Sequence, residues 1–307
     1  MATSGNASAD LTLQNLSGLS LRRGDRDANR IWGGSARPAQ AGTPVTELQT
    51  ALITLGTLNF KADGTFGPDT EEALRRFQWY VAHLRFRLKL LPGAAPANGT
   101  IVPFAASPPG APGICDAVTA ELILSWLADD FVTTSPLVRL DVALLSNIAV
   151  VEGFQQLDYP EAKKGEVLVH ADFAQAVSGT MNQEANKAGV VLHLNQTFRR
   201  EGVPPAGAVV PPATRSQHLV GHAVDLNIAD GSTVNTNNLF QSGDQTENAN
   251  KFIAAVKARG LRWGGDFSTA DFVHFDDFLN PNGPDYDNTF YFAQRCFEHH
   301  HPIRLAN

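Results

Sequence analysis

The sequence predicts an α+β protein in which a small helical module precedes a domain of mixed strands and helices. Three observations predict it. The first 150 residues carry amphipathic helix patterns. Runs of strand character, VVLHLNQTF, AVDLNI and FVHFDDF, come only after Val167, and the helix pattern TENANKFIAAVKARG separates the last two. Strands mixed with helices in this order suggest α+β.

Residues 1–40 are polar and rich in Ser, Gly, Asn and Ala, and a mobile lead-in is expected there. The N-terminus lacks a basic start followed by an apolar stretch, so no standard signal peptide is expected. The first element is TPVTELQTALITLG. Thr43 is placed to cap it, Pro44 suits the first helical position and Gly56 can end it, while Val45, Leu48, Leu52 and Leu55 share one face. Asp63 and Gly64 then make a turn. Asp69 and Glu72 read as a capping box for a second helix, whose apolar face holds Ala73, Phe77 and Val81.

The pattern G-x5-T-x2-[AL]-[LI]-x2-[FW] occurs at Gly64 and again at Gly113. It reads either as a chance likeness of two amphipathic helices after glycine turns or as a duplicated three-helix module. Between the copies, the Pro, Gly and Ala density near 91–112 reads as an insertion or long loop. The organisation predicted is a helical module over 41–152, a linker over 153–166, a second domain over 167–297 and a tail over 298–307. In the second domain a long helix pattern, LVHADFAQAVSGTMNQEANKAG, opens the run and stops at Gly189.

Composition narrows the function. The 307 residues carry a net charge of −7 with no basic stripe, which argues against a nucleic-acid partner. No apolar run is long enough to span a membrane. Two cysteines, Cys115 and Cys296, are too few for a disulfide framework, and their pairing is open.

The chemistry concentrates in SQHLVGHAVDLNI, Ser216 to Ile228. Zinc takes nitrogen, sulfur and carboxylate ligands in a tetrahedral array, and catalytic sites use three from the protein. His218 and His222 are four apart, but Leu219 stands where H-E-x-x-H needs glutamate and Gly221 weakens a helix. The alternative joins the loop histidine His218 to the strand aspartate Asp225, with His274 of DFVHFDDF as third ligand. His222 is then a neighbour of the site. Asp271 lies three residues before His274, with Asp266, Asp276 and Asp277 as competing acids. The histidines His299 to His301 fall in the tail and read as solvated.

Two resemblances follow from these residues. Leu48-Gln49, Leu52, Leu55-Gly56, Asp63-Gly64, Phe66-Gly67, Thr70, Ala73 and Phe77-Gln78 resemble the three-helix peptidoglycan-binding domain. S-x-H-x-x-G-x-A-x-D at Ser216 to Asp225, with W-G-G-D-F at Trp263 and D-x-x-H-F at Asp271, is similar to the VanY-like zinc peptidases. That family includes D-alanyl-D-alanine carboxypeptidases and L-alanyl-D-glutamate endopeptidases.

The second resemblance implies a zinc peptidase domain with a central antiparallel sheet flanked by helices. It implies Zn2+ on His218, Asp225 and His274, and Asp271 as the general base serving the attacking water and the leaving amine. Arg199 would anchor a substrate carboxylate or the oxyanion, with Arg200 as the adjacent candidate. Ser216 and Trp263 are further substrate-binding candidates, although Trp263 and Phe267 also suit packing under the site. Gln196-Thr197 and the segment EGVPPAGAVVPPATR depart from the family pattern.

The function implied is hydrolysis of peptidoglycan stem peptides. The aspartate base favours the endopeptidase over the carboxypeptidase. A non-catalytic wall-binding or structural protein is the rival from another class. The expected partner is peptidoglycan, met as a monomer outside the cytoplasm after release or secretion, with no nucleic acid and no membrane.

Overall fold

The computed structural model describes residues 20–27, 43–83, 86–89, 100–103, 109–129, 131–132, 136–151, 154, 165–205, 213–295 and 303–304. Its contacts divide the chain into two units, Met1–Thr134 and Ser135–Asn307. No helix among the described residues is long and apolar enough to cross a membrane.

In the first unit, helix α1 spans Pro44–Thr54. Its first turn leaves amides that need outside acceptors. The cap expected from Thr43 does not form; the Thr43 hydroxyl donates to Glu47 Oε1 at 3.1 Å instead. Asp27 supplies the cap from 18 residues upstream. Its Oδ1 accepts from Val45 N at 2.8 Å and its Oδ2 from Thr46 N at 3.0 Å and Thr46 Oγ1 at 2.6 Å. The expected loose lead-in is therefore corrected over 20–27, where Leu21, Asp25 and Asp27 are fully buried. Leu21 bridges to Cys115 and Arg26 to Thr65. Cys115 is a buried free thiol, pushed up to about 12 by burial, and Cys296 lies outside the described residues.

Helix α2 spans Pro68–His83. The predicted capping box is absent, because Asp69 already sits inside the first turn and Glu72 pairs with Arg76. The predicted apolar faces of α1 and α2 are both buried, and Trp126 of the third helix meets Phe77 and Tyr80 edge-on at 5.7 and 5.5 Å.

The repeat is carried by two glutamines. Gln49 Oε1 accepts from Asp63 N and Gly64 N, while its Nε2 donates to Asp63 Oδ1, Thr65 O and Thr70 Oγ1. Gln78 Oε1 accepts from Gly113 N, while its Nε2 donates to Ala111 O, Ile114 O and Thr119 Oγ1. In both copies the glutamine of one helix clasps the glycine turn and the first-turn threonine of the next. Two independent helices would not share that arrangement, so the geometry favours duplication over chance.

The insertion expected as a loop is part strand. Strand β1, Phe86–Lys89, pairs antiparallel with β2, Thr100–Pro103; most of the rest of 91–112 lies outside the described residues. Helix α3, Ala117–Ala128, follows, and the short strand β3, Phe131–Val132, joins the other edge of β1.

The second unit begins before Val167. Strand β4, Leu137–Asp141, pairs antiparallel with β6, Glu166–His170, and β5, Ile148–Val150, pairs parallel with β7, Val191–Gln196. The partners of β4 and β5 are what assign residues 137–150 to this unit. Most of the expected linker over 153–166 lies outside the described residues. The helix expected from Leu168 starts only at Ala171, because the apolar run EVLVH has a strand to pair with. An apolar run this short fits strand or buried helix equally well. The helix then proceeds as α4, Ala171–Gln175, a π turn over Ala176–Met181 and α5, Asn182–Ala188.

Strands β8, Ala223–Asp230, and β9, Thr233–Asn235, helices α6, Asn237–Ser242, and α7, Glu247–Ala258, then β10, Arg262–Trp263, β11, His274–Asp276, α8, Pro284–Gln294, and β12, Ile303–Arg304, complete the unit. The main sheet runs β10-β11-β8-β7-β5, with β9 also on β8. It is antiparallel except at β5, so the expected antiparallel sheet is mixed at that edge. One face is apolar: Leu192, Leu194, Val224, Leu226, Ile228 and Phe275 join the core with residues of α4, α5 and α7. The alternate residues His193 and Asn195 on β7, and Asp225 and Asn227 on β8, are only half-buried. The period of two thus gives the sheet a second, polar face.

Candidate metal centre

His218 sits on a short 3-10 turn, Gln217–Val220, started by Ser216, whose hydroxyl accepts from His218 N at 3.3 Å. The turn ends at Gly221, with φ at +76°. A side chain there would meet Leu137 Cδ2 at 2.6 Å and His170 N at 2.7 Å, so both the backbone and the space require glycine. The chain then enters β8, and Asp225 is directly opposite His274 of β11. This register brings the two motifs together.

Three donor atoms converge. His218 Nε2 lies 3.0 Å from Asp225 Oδ1 and 3.2 Å from His274 Nδ1, and His274 Nδ1 lies 3.1 Å from Asp225 Oδ1. Among the described residues this is the one group of three or more His, Cys, Asp or Glu able to hold a metal ion. The far side of each ring is occupied. His218 Nδ1–H donates to Thr197 O at 2.8 Å, and His274 Nε2–H donates to Asp276 Oδ2 at 3.0 Å. Each bond fixes the orientation of its ring and turns the other ring nitrogen toward Asp225.

The donor set fits zinc. Tetrahedral zinc with bonds of about 2.0–2.1 Å has ligand atoms about 3.3 Å apart, close to the triangle found. The centre also favours positive charge. Burial opposes the ionisation of Asp225, yet His218 and His274 hold it well below the usual carboxylate range. Burial likewise opposes a charge on His274, but Asp225 and Asp276 push it up to about 9.

The competing acids separate by their partners. Asp276 takes His274 and a two-pronged bond from Arg262, at 2.6 Å on each oxygen. Asp277 holds His222 Nδ1 at 2.8 Å, and Asp266 pairs with Lys257. Asp271 Oδ1 is buried with no hydrogen-bond partner. Burial, and then the charge of Asp225, raise its pKa above the ordinary carboxylate value. Gly264 sets its position: Asp271 N donates to Gly264 O at 2.9 Å, and a side chain at Gly264 would strike Asp271 O at 2.2 Å. The first glycine of W-G-G-D-F is therefore the floor on which the Asp271–His274 turn rests.

Arg199 is buried, bonds Gln196 Oε1 at 3.0 Å, and lies within electrostatic reach of Asp225 and Tyr286. Arg200 is less buried. Ser216 and Trp263 have structural partners. Trp263 Nε1 donates to Phe272 O at 2.9 Å, and its ring meets Phe240 and Phe272. His222 is not part of the triangle, and its ring lies 4.2 Å from that of His170. His299 to His301 lie outside the described residues.

Sequence reasoning missed Arg262 and Tyr286, and it named Asp276 as a competing acid without its role as the partner of His274. Asp276 and Arg262 are cross-strand partners, and Tyr286 on α8 donates to Ser216 O at 2.9 Å. The D two residues after His274 was the available signal for Asp276; nothing local marks the other two.

Comparison with known proteins agrees with this geometry. Residues 211–277, which contain all four motif residues His218, Asp225, Asp271 and His274, match the family described as D-alanyl-D-alanine carboxypeptidase. Residues 41–81, which contain the Gln49 clasp, match the family described as putative peptidoglycan binding domain. The chain is 29% identical over 100 residues to the L-alanyl-D-glutamate peptidase of Listeria phage A118. That alignment covers 32% of this chain and 34% of the relative, so the chain spans about a third of the length of the curated relative it matches. The chain thus joins a segment that matches the putative peptidoglycan-binding family to a segment that matches the D-alanyl-D-alanine carboxypeptidase family.

Proposed function

We propose that the chain is a zinc-dependent peptidoglycan hydrolase that cuts the stem peptide between L-alanine and D-glutamate. The carrying observation is the triangle of His218, Asp225 and His274 beside Asp271, whose Oδ1 is buried without a hydrogen-bond partner. The aspartate three residues before His274, and the name of the phage relative, support the endopeptidase bond.

His218 Nε2, Asp225 Oδ1 and His274 Nδ1 would hold the zinc. When bound, zinc polarises a scissile carbonyl and lowers the pKa of a water toward about 7. Asp271 Oδ1 accepts the proton of the attacking water and passes it to the leaving amine. Its raised pKa makes it a stronger base than an exposed carboxylate. Arg199 faces the negative oxygen of the tetrahedral species or a substrate carboxylate. Thr197 O and Asp276 keep both imidazoles in the ligating orientation. The helical unit would hold the chain on the wall, so that the bond cut lies within its reach.

The carboxypeptidase is the second reading, favoured by the description of the matching family. The test is a digest of purified peptidoglycan by the zinc-loaded chain, read by mass spectrometry beside Asp271→Ala. Fragments cut after L-Ala, absent with the variant, are expected. Loss of a terminal D-Ala alone moves the assignment to the carboxypeptidase. Sedimentation with the wall and no product in any digest makes it a binding protein.

A further inference from the structure

The polar face of the main sheet continues past the triangle, along β7 and β8. Asn227 is two residues beyond Asp225 on β8, so it shares that face at a distance of about 7 Å. Directly across from it is His193 of β7. Between Leu194 and Gln196 the register shifts, and Asn195 is the residue left over. Bulges of this kind redirect side chains, often beside active sites.

Asn227 Nδ2 donates to Asn195 Oδ1 at 3.2 Å. Each side-chain amide has two donors and one acceptor group. This one bond leaves Asn227 Oδ1 as a free acceptor and Asn195 Nδ2 as a free donor. Exchanging the O and N of both amides reverses the two roles but still leaves one of each. Neither asparagine is fully buried, and neither has a buried polar atom lacking a partner. The free edge therefore meets solvent.

A peptide group offers one N–H and one C=O, the complement of this edge. We propose that Asn195 and Asn227 form a subsite that binds a peptide group of the substrate about two residues from the bond cut. This rests on the peptidase reading and deepens it, because such a subsite serves a chain that extends beyond the scissile dipeptide. It makes the two asparagines specificity residues for stem-peptide length.

The test compares the zinc-loaded full chain with Asn195→Ala, Asn227→Ala and the double variant. Two substrates are used: an L-Ala-D-Glu dipeptide blocked at both ends, and a stem tetrapeptide. Loss of a substrate hydrogen bond is worth about tenfold. Each single variant is expected to raise KM for the tetrapeptide about tenfold, with kcat and zinc content unchanged and the dipeptide cut as before. The double variant is expected to lose little more than either single one, since the edge acts as a unit. Equal effects on both substrates, or none on either, would overturn the subsite while leaving the peptidase intact. A wild-type chain that cuts neither substrate overturns the peptidase reading and the subsite together.

Discussion

The two units each contain a buried polar network, and the networks differ in one respect. The Gln49 and Gln78 clasps are closed: each oxygen and nitrogen of the two side-chain amides meets a backbone or threonine group of the same unit. The centre of the second unit is open. His218, Asp225 and His274 turn three atoms able to hold a metal toward one another, and Asp271 has a buried oxygen with no hydrogen-bond partner. Buried polar groups without partners are costly, so a closed network builds a fold and an open one calls for something more. The difference separates structure from chemistry without reference to any family.

The largest expected effects break the open network. Removing metal with a chelator should abolish hydrolysis, and zinc should restore it. Replacing His218, Asp225 or His274 by alanine should abolish zinc retention, measured by metal analysis of the purified chain. Asp271→Asn should lower kcat by about 10²–10⁴ while zinc content holds. Zinc loss in that variant would instead make Asp271 a ligand and collapse the distinction between base and metal site.

Next come the residues that hold the centre from outside. Asp276→Asn leaves His274 Nε2–H without its carboxylate, and zinc affinity should fall about 10–100-fold in a chelator competition. Arg262→Gln should fall less, since Asp276 would retain His274. An Arg262 effect larger than that of Asp276 would mean the arginine acts on the site by another route.

The closed networks should respond by stability alone. Gln49→Ala and Gln78→Ala each strand buried amides, and each should destabilise the first unit by about 1–3 kcal/mol in urea unfolding. The rate on a soluble stem peptide should not change. Equal losses would support the two clasps as copies. A loss at only one would make the other an ornament of the repeat.

These regions were unequally legible in the sequence. The motif residues His218, Asp225, Asp271 and His274 stand in short local patterns, and their roles follow from turns of a few residues. The register that faces Asp225 with His274 is what joins the two patterns, and sequence carries no direct mark of it. Arg262 and Asn195 take their meaning from that register and its bulge, so they were invisible, and Asp276 was visible only as a competing acid, not as the partner of His274. Asp27 shows the same limit in the first unit. The stretch around it has loop composition, and only the distant amides of Val45 and Thr46 make it a cap. The helix expected over Leu168–His170 failed because β4 was available as a partner, a tertiary fact that outweighs local pattern.

The smallest expected effect sets two aspartates against each other. Burial opposes ionisation of Asp116, but the amides of Thr119 and Ala111 hold its pKa below the ordinary value. Its folded pKa is depressed, so its contribution is present above the unfolded value and is lost as pH falls through the folded one. Asp271 is shifted the other way, by burial and by Asp225. In the metal-free chain its folded pKa is raised, so stability present below the unfolded value is lost as pH rises through the folded one. At neutral pH, Asp116→Asn should therefore destabilise the first unit slightly, and Asp271→Asn should stabilise the metal-free second unit. Both differences should vanish in acid: the Asp271 difference fades from its raised folded pKa down to the ordinary carboxylate value, and the Asp116 difference fades only below that value. Adding zinc should erase the Asp271 gain, because a nearby cation favours the carboxylate. Thermal unfolding across pH, with and without zinc, reads both signs. An Asp271→Asn chain less stable than wild type without metal would show that hydrogen bonds to the carboxylate outweigh its burial and that the centre is closed after all.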